Sequence, residues 1–242
     1  MSNIHFLHGF LGTPSDWNIF CSDLRNHSFI FHSIENYMFP NSKAGKTYFR
    51  AWLDAFHSSL VSQNYSNKNI LVGYSLGGRL ALHSLVSSNL WDAAIIISAN
   101  PGLKDKSEKE ARIKNDTTWA LRFQNEDWYE VLKDWNSQTV FANFQNSLCR
   151  EEYTINKHAI KEMLINFSLG NQENLRKEIK LLNIPILWIA GELDSKFVEI
   201  AIEMQELSNN ILAKIIPNAG HRVPWDNPKE FINALNSFLD NI

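Results

Sequence analysis

Cysteine is scarce: the 242 residues hold two, Cys21 and Cys149. They lie far apart and form no C-x-x-C pair, so neither a redox motif nor a zinc site is suggested, and two buried free thiols are expected. A basic surplus is missing as well. With 23 Lys and Arg against 26 Asp and Glu the formal charge is −3, which leaves no electrostatic footprint for nucleic acid or an anionic membrane. The densest apolar stretch, AAIIISA at Ala93–Ala99, is far too short to span a bilayer. The opening MSNIHFLHGF lacks a basic leader and a long apolar run, so a cytoplasmic protein is expected. No repeat, no low-complexity tract and no ligand spacing such as H-x-x-x-H is visible; no metal or organic cofactor is expected. Oligomeric state is not readable.

What the chain does have is alternation. At 44% hydrophobic and 20% charged it has the composition of a globular protein with a sizeable core. Short runs rich in Ile, Val and Leu read as strands: Ile4–Gly9, Phe29–Ile34, Asn69–Tyr74, Ala93–Ser98, Ile184–Gly191 and Ile211–Pro217. Their near-continuous apolarity suits strands buried on both faces, hence a parallel sheet. Helical patterns separate them at Ala44–Val61, Leu76–Ser87, Lys196–Leu207 and Pro228–Leu239, the last opened by a proline that has no N–H to lose in a first turn. Strand and helix in turn predict an open α/β sheet. The rhythm breaks between about Asn100 and Leu182, where charges and aromatics (Trp119, Phe123, Trp128, Tyr129, Trp135, Phe141, Phe144) read as several helices. The expectation is one α/β domain over residues 1–242 with a helical cap inserted at about Asn100–Leu182. A cap there would sit at the carboxyl ends of the strands, where such sheets bind ligands.

Gly73-Tyr74-Ser75-Leu76-Gly77 matches G-x-S-x-G between an expected strand and an expected helix. A strand that reverses into a helix within a residue or two forces the central serine into a strained conformation, and flanking glycines avoid the clashes. The hydroxyl then stands above the sheet at a helix N-terminus, where backbone N–H groups favour negative charge. A serine hydroxyl needs a base to react, and the base needs an orienting acid. Asp194 in GELDSKF and His221 in PNAGHRVPWDNP each follow an expected strand, in the order Ser, Asp, His. An Asp after a strand is often only a helix cap and a Gly-His only a turn, but three such residues in order on three strand exits point to a triad. Glu192 and Asp226 are alternative acids. His27, His32, His57, His83 and His158 read as surface or helix residues. In FLHGFLGTPSDW the His-Gly after the first strand turns the next N–H toward the site, so the backbones of Phe10 and Leu76 are expected to form an oxyanion hole, with His8 as a structural hydrogen-bonder.

These residues resemble the α/β-hydrolase fold over the whole chain. More narrowly, the chain resembles the 2-succinyl-6-hydroxy-2,4-cyclohexadiene-1-carboxylate synthases of menaquinone biosynthesis. The resemblance is carried by HGFLGTPSDW, GYSLGGRLAL, NPGL, EARIKND, WALRF, DWNSQTVF and GELDSKF. It implies an α/β-hydrolase fold with an inserted helical cap, and a lyase. Such an enzyme removes a proton beside a succinyl ketone and expels pyruvate from an enolpyruvyl ether, with Ser75 and His221 as the base and no acyl-enzyme. Three substrate carboxylates imply cationic partners, and arginine grips carboxylates bidentately. Arg79, one turn past Ser75, and Arg112 and Arg122 in the cap are the implied anchors; Tyr74 and Trp135 match positions that line the substrate pocket.

The chain departs from the pattern twice. Where many members of the fold carry Asp-x-Pro-Gly-His-Gly-x-Ser, it has IENYMFPNS, and between Lys157 and Gln172 it lacks a further cap arginine. Lys157 or Lys161 could stand in there. A serine esterase or thioesterase with Ser75 as nucleophile is the alternative, though a neutral acyl group has no use for cationic walls. A non-catalytic binding protein on the same scaffold is a third reading, opposed by the intact Ser75, Asp194 and His221.

Overall fold

The computed structural model describes residues 1–24, 27–38, 48–61, 67–141, 146–148 and 150–242. Six strands, β1 (Ser2–Leu7), β2 (Ser28–His32), β3 (Lys68–Tyr74), β4 (Ala93–Ile97), β5 (Ile186–Gly191) and β6 (Ile211–Ile216), form one sheet in the order β2-β1-β3-β4-β5-β6. Every pairing is parallel. Nine helices are described: α1 (Tyr48–Val61), α2 (Leu76–Ser87), α3 (Lys106–Asn125), α4 (Trp128–Asn136), α5 (Lys157–Asn166), α6 (Arg176–Ile179), α7 (Ser195–Leu207), α8 (Val223–Asp226) and α9 (Pro228–Leu239). The first four residues of the helix expected from Ala44 lie outside the described residues, as do Phe144, Cys149 and the end of IENYMFPNS. No helix among the described residues is long and apolar enough to cross a membrane.

Alternate side chains of each strand leave on opposite faces, and both faces are covered. Leu71, Ala94, Ile96 and Trp188 pack under Trp52, Phe56, Leu80 and Met204 from α1, α2 and α7. Ile70, Val72, Ile95, Ile97 and Ile189 pack under Trp17, Phe20, Phe231 and Leu235 on the other side. That double cover is why the strands show as unbroken apolar runs rather than alternating ones.

Between β4 and β5 the described residues are helical. Asp105, Asp127 and Asn156 cap α3, α4 and α5 by accepting N–H groups of the first turn. These helices have their own apolar cluster, Ala120, Phe123, Trp128, Val131, Ile160 and Leu164, which also takes in Leu11 and packs on Phe10 and Trp135. The first loop after β1 therefore holds the helical layer against the sheet. A buried ion pair adds a second fastening: Arg150 Nη2 lies 2.6 Å from Asp16, and the same guanidinium donates to the Leu11 carbonyl.

The strand order fixes where a ligand can enter. From β1 the chain moves to β2 on one side, then crosses to β3 on the other, so the loops leaving β1 and β3 diverge. A crevice opens at that reversal, at the carboxyl ends of the strands. Leu7 pairs beside Gly73 there, which sets His8-Gly9-Phe10 next to Ser75.

Candidate active site

Ser75 has φ 52° and ψ −110°, between the last residue of β3 and the first of α2. The turn is possible because Gly73 and Gly77, two residues to either side, lack side chains. A Cβ on Gly73 would come 2.6 Å from the Gly77 carbonyl, and one on Gly77 would collide with the carbonyls of Leu7 and His8. Ser75 donates its own N–H to Ile97 O at 2.8 Å, and its carbonyl accepts from Arg79 N–H at 3.0 Å.

Ser75 Oγ stands 3.1 Å from His221 Nε2, and His221 Nδ1 stands 2.7 Å from Asp194 Oδ2. Three strand exits thus bring their side chains to one line, with Asp194 and His221 buried. Asp194 is the N-cap residue of α7, yet its side chain makes no cap hydrogen bond; it is committed to the imidazole. The alternative acids are engaged elsewhere: Glu192 accepts the Asn218 N–H and Asp226 the Gly220 N–H, each at 3.0 Å. Phe197, Phe141 and Tyr74 enclose the ring of His221 at centroid distances of 4.7, 5.5 and 5.8 Å. This arrangement can take a proton from the serine hydroxyl and hold the resulting imidazolium beside a carboxylate.

The two expected oxyanion donors are oriented by geometry. The Gly9 carbonyl accepts from the His8 ring and from Gly12 N–H, both at 2.9 Å. A trans peptide points its N–H away from its C=O, so Phe10 N–H is turned away from both. The Ser75 carbonyl points along α2 to Arg79, so Leu76 N–H faces back past the helix N-terminus. Neither N–H has an acceptor among the described residues, and both residues line the cavity. His8 Nε2 accepts the Ile34 N–H at 3.1 Å, which leaves its Nδ1 as the donor to Gly9.

A cavity of about 260 Å³ lies above Ser75 and His221 and is lined by Tyr74, Arg79, Arg112 and Trp135 among others, near the lower end of small-molecule sites. Arg79 Nη1 donates to Gln172 Oε1 at 3.1 Å and Nη2 to Phe167 O at 2.7 Å. Gln172 is itself held by Asn100 O at 3.0 Å. Burial, then the nearby Arg112, push the Arg79 guanidinium down to about 9, still a cation at neutral pH. Arg112 faces the cavity from α3 and is paired through Nε with both oxygens of the buried Asp116 at 2.8 Å. Trp135 packs on Phe10 at 4.9 Å and Trp119 at 5.1 Å. Tyr74 is buried against Trp225 at 5.1 Å, and burial drives its phenol well above the ordinary range.

Several sequence expectations need correcting. Arg122 is not part of the cavity wall: its Nε reaches Glu126 at 2.9 Å, its Nη2 reaches Asp134 at 2.5 Å, and its guanidinium carbon lies 4.8 Å over Trp119. Those partners are one helical turn away and on the next helix, and they hold it on the outer side of the layer. Lys157 is likewise paired outward, with Glu152 at 2.6 Å. His32 is buried on β2 rather than a surface or helix residue, His83 is a helix residue as expected though a buried one, and Cys21 is partly exposed rather than buried. The sequence reading missed Arg150 and Arg222, which line the cavity. For Arg222 a signal existed, since it directly follows His221.

Comparison with known proteins follows this geometry. The pattern of the alpha/beta hydrolase family matches residues 6–234. A Serratia proteamaculans protein named 2-succinyl-6-hydroxy-2,4-cyclohexadiene-1-carboxylate synthase is 30% identical, over 98% of this chain and 92% of its own length. An Enterobacter sp. protein of the same name is 32% identical, over 97% and 90%. Among solved structures, MenH from S. aureus superposes with a TM-score of 0.86 at 24% identity, covering 99% of this chain and 94% of its own, a likeness that speaks for the fold.

Proposed function

Because the chain belongs to the alpha/beta hydrolase family, alongside its 2-succinyl-6-hydroxy-2,4-cyclohexadiene-1-carboxylate synthases, we propose that it is the carbon–oxygen lyase of that name in menaquinone biosynthesis. Its substrate on this reading is 2-succinyl-5-enolpyruvyl-6-hydroxy-3-cyclohexene-1-carboxylate, a small anion met in the cytoplasm. The observation that carries the reading is Arg79: a guanidinium in the wall of the Ser75 cavity, whose hydrogen-bond partners among the described residues are neutral oxygens. An esterase for neutral acyl groups has no use for such a group, whereas a polycarboxylate has.

Ser75, Asp194 and His221 act as a base rather than as a nucleophile relay. The Ser75 oxygen takes the ring proton beside the succinyl ketone as its own proton passes to His221. The negative charge moves onto the ketone oxygen, where the Phe10 and Leu76 N–H groups stabilise it. The electron pair then returns through the ring alkene and expels the enolpyruvyl oxygen. The departing enolate of pyruvate takes up the proton held on His221, which restores the triad, and the enol so formed becomes the keto acid. Arg79 and Arg112 hold carboxylates, Tyr74 and Trp135 flank the ring, and the helical segment from about Asn100 to Leu182 works as a cap on a single α/β domain. No bond from serine to carbon is needed, so one triad geometry serves elimination or hydrolysis according to what its walls bind.

A coupled assay of pyruvate release from the enolpyruvyl substrate tests this. Ser75→Ala is expected to lower kcat at least about a thousandfold. Arg79→Ala is expected to raise KM by about 10- to 100-fold, the range for a charge-assisted contact. No release by the unmodified protein, together with Ser75-dependent cleavage of p-nitrophenyl or thioester substrates, would sink the lyase reading.

A further inference from the structure

Two guanidinium groups in the cavity wall differ from the rest. Among the described residues Arg50, Arg112, Arg122, Arg150 and Arg176 each lie within 3.3 Å of a carboxylate oxygen. Arg79 and Arg222 have only neutral hydrogen-bond partners among the described residues. Arg222 Nη2 donates to Asn136 Oδ1 at 2.5 Å, and its guanidinium carbon stacks 4.1 Å over the Phe141 ring. Its Nη1 is buried with no hydrogen-bond partner among the described residues. The residue as a whole is 8% exposed, and it lines the same cavity as Ser75.

A buried cation without an ion-pair partner is costly, and among the described residues the Phe141 ring face, the Asn136 oxygen and the charge of Asp226 offset it only in part. Asp226 bonds the Gly220 N–H instead. Arg150, whose charge disfavours that of Arg222, is engaged by Asp16. The charges acting on Arg79 come from Arg112 and Asp116, and those acting on Arg222 from Tyr74, Asp226 and Arg150. The two guanidinium groups therefore belong to separate surroundings, one on the helix after Ser75 and one on the loop that presents His221.

We infer that Arg222 is a further carboxylate anchor, separate from Arg79 and Arg112, so that the cavity selects a molecule bearing carboxylates at two ends of the reacting centre. A carboxylate arriving beside Asn136 takes the two Nη donors as a fork, after a small turn of the guanidinium, and supplies the missing anion. The inference rests on the polycarboxylate reading above and adds a residue to it. It also explains how the chain manages without an arginine between Lys157 and Gln172.

The test measures binding by calorimetry with 4-(2-carboxyphenyl)-4-oxobutanoate, a stable diacid carrying a succinyl ketone next to a ring carboxylate, and with its two monomethyl esters. Arg222→Met is expected to weaken the diacid by about 10- to 100-fold, and Arg222→Lys to lie in between. One monoester, having lost the carboxylate that Arg222 holds, binds the Met variant and the unmodified protein alike. The thermal midpoint of Arg222→Met is expected to stay level or rise, because an unpaired buried charge has gone; the Lys variant carries the test if Met prevents folding. Equal diacid affinity with and without the guanidinium overturns the inference. Pyruvate release with an unchanged KM in Arg222→Met does so too, while leaving the lyase reading intact. Diacid binding that depends on Arg222 in a protein that releases no pyruvate would keep the anchor and reject the lyase.

Discussion

The backbone of Ser75, at φ 52° and ψ −110°, lies where any Cβ costs on the order of 1–3 kcal/mol. The sheet and α2 impose it, through hydrogen bonds from Ser75 N–H to Ile97 O and from Arg79 N–H to Ser75 O. Comparing two variants isolates the strain, since both lose the hydroxyl and its bond to His221. Ser75→Gly is expected to be more stable than Ser75→Ala by about 1 kcal/mol, after allowing for the greater freedom of an unfolded glycine. Urea unfolding of the pair measures this, and an alanine variant at least as stable as the glycine would mean the elbow stores no strain. Residue type and spacing made Ser75, Asp194 and His221 legible because each follows a strand whose end the sequence marks. Arginines are less legible. Arg122 and Arg222 look alike in the chain, yet one is held outward by Glu126 and Asp134 while the other is buried under Phe141. A long side chain goes where its partners are, and partners on other elements leave no mark on the local pattern.

At the scale of elements, the strands were readable because burial on both faces writes a continuous apolar run, as at Ile70–Val72 and Ile95–Ile97. α2 and α9 begin and end where their patterns say, one at the serine elbow and the other at Asn227-Pro228. The helices between β4 and β5 were legible only as a class. Their seam depends on aromatic contacts between segments, such as Phe123 with Phe10 at 5.8 Å, Trp128 at 5.7 Å and Trp135 at 5.6 Å, and periodicity within one helix does not reveal them. Phe123 is 1% exposed at the centre of that seam. Phe123→Ala is expected to cost about 3–5 kcal/mol locally, loosening α3 and α4 while the sheet holds. Hydrogen exchange should then quicken across residues 106–136 with β3 to β5 unchanged. KM should rise more than kcat falls, because Arg112 and Trp135 belong to the loosened layer and Ser75 and His221 do not. Uniform exchange throughout the chain would show instead that layer and sheet unfold as one unit.

Across the whole molecule, acid should act first on buried histidines. Burial holds His5 down to about 4, with Asn69 opposing it. Burial and the neighbouring His5 hold His32 down to about 3. Burial and then the charge of Arg79 hold His83 down to about 3. In the unfolded chain all three titrate near 6.5. Between those values the unfolded state binds protons that the folded state refuses, so stability is full above the unfolded value and falls as pH drops through the window. Each histidine contributes at most about 1.4 kcal/mol per pH unit there. The carboxylates respond later: Glu203, held down to about 2 chiefly by Arg176, loses its contribution only as pH falls below the ordinary glutamate range. The unfolding free energy from urea titrations is therefore expected to decline from pH 6.5 toward 5, ahead of most of the carboxylate response. His83 allows a direct check, because its Nε2 is buried without a partner among the described residues and its ring packs on Phe49 at 4.4 Å. His83→Leu keeps most of that packing and removes one of the histidine titrations, while the downward shifts of His27 and His57 remain. The variant's slope against pH should fall by up to about a third over that interval, with its stability at pH 7.5 level or higher. An unchanged slope would mean that His83 takes up its proton in the folded protein, beside Arg79, and that acid loss of stability has another origin.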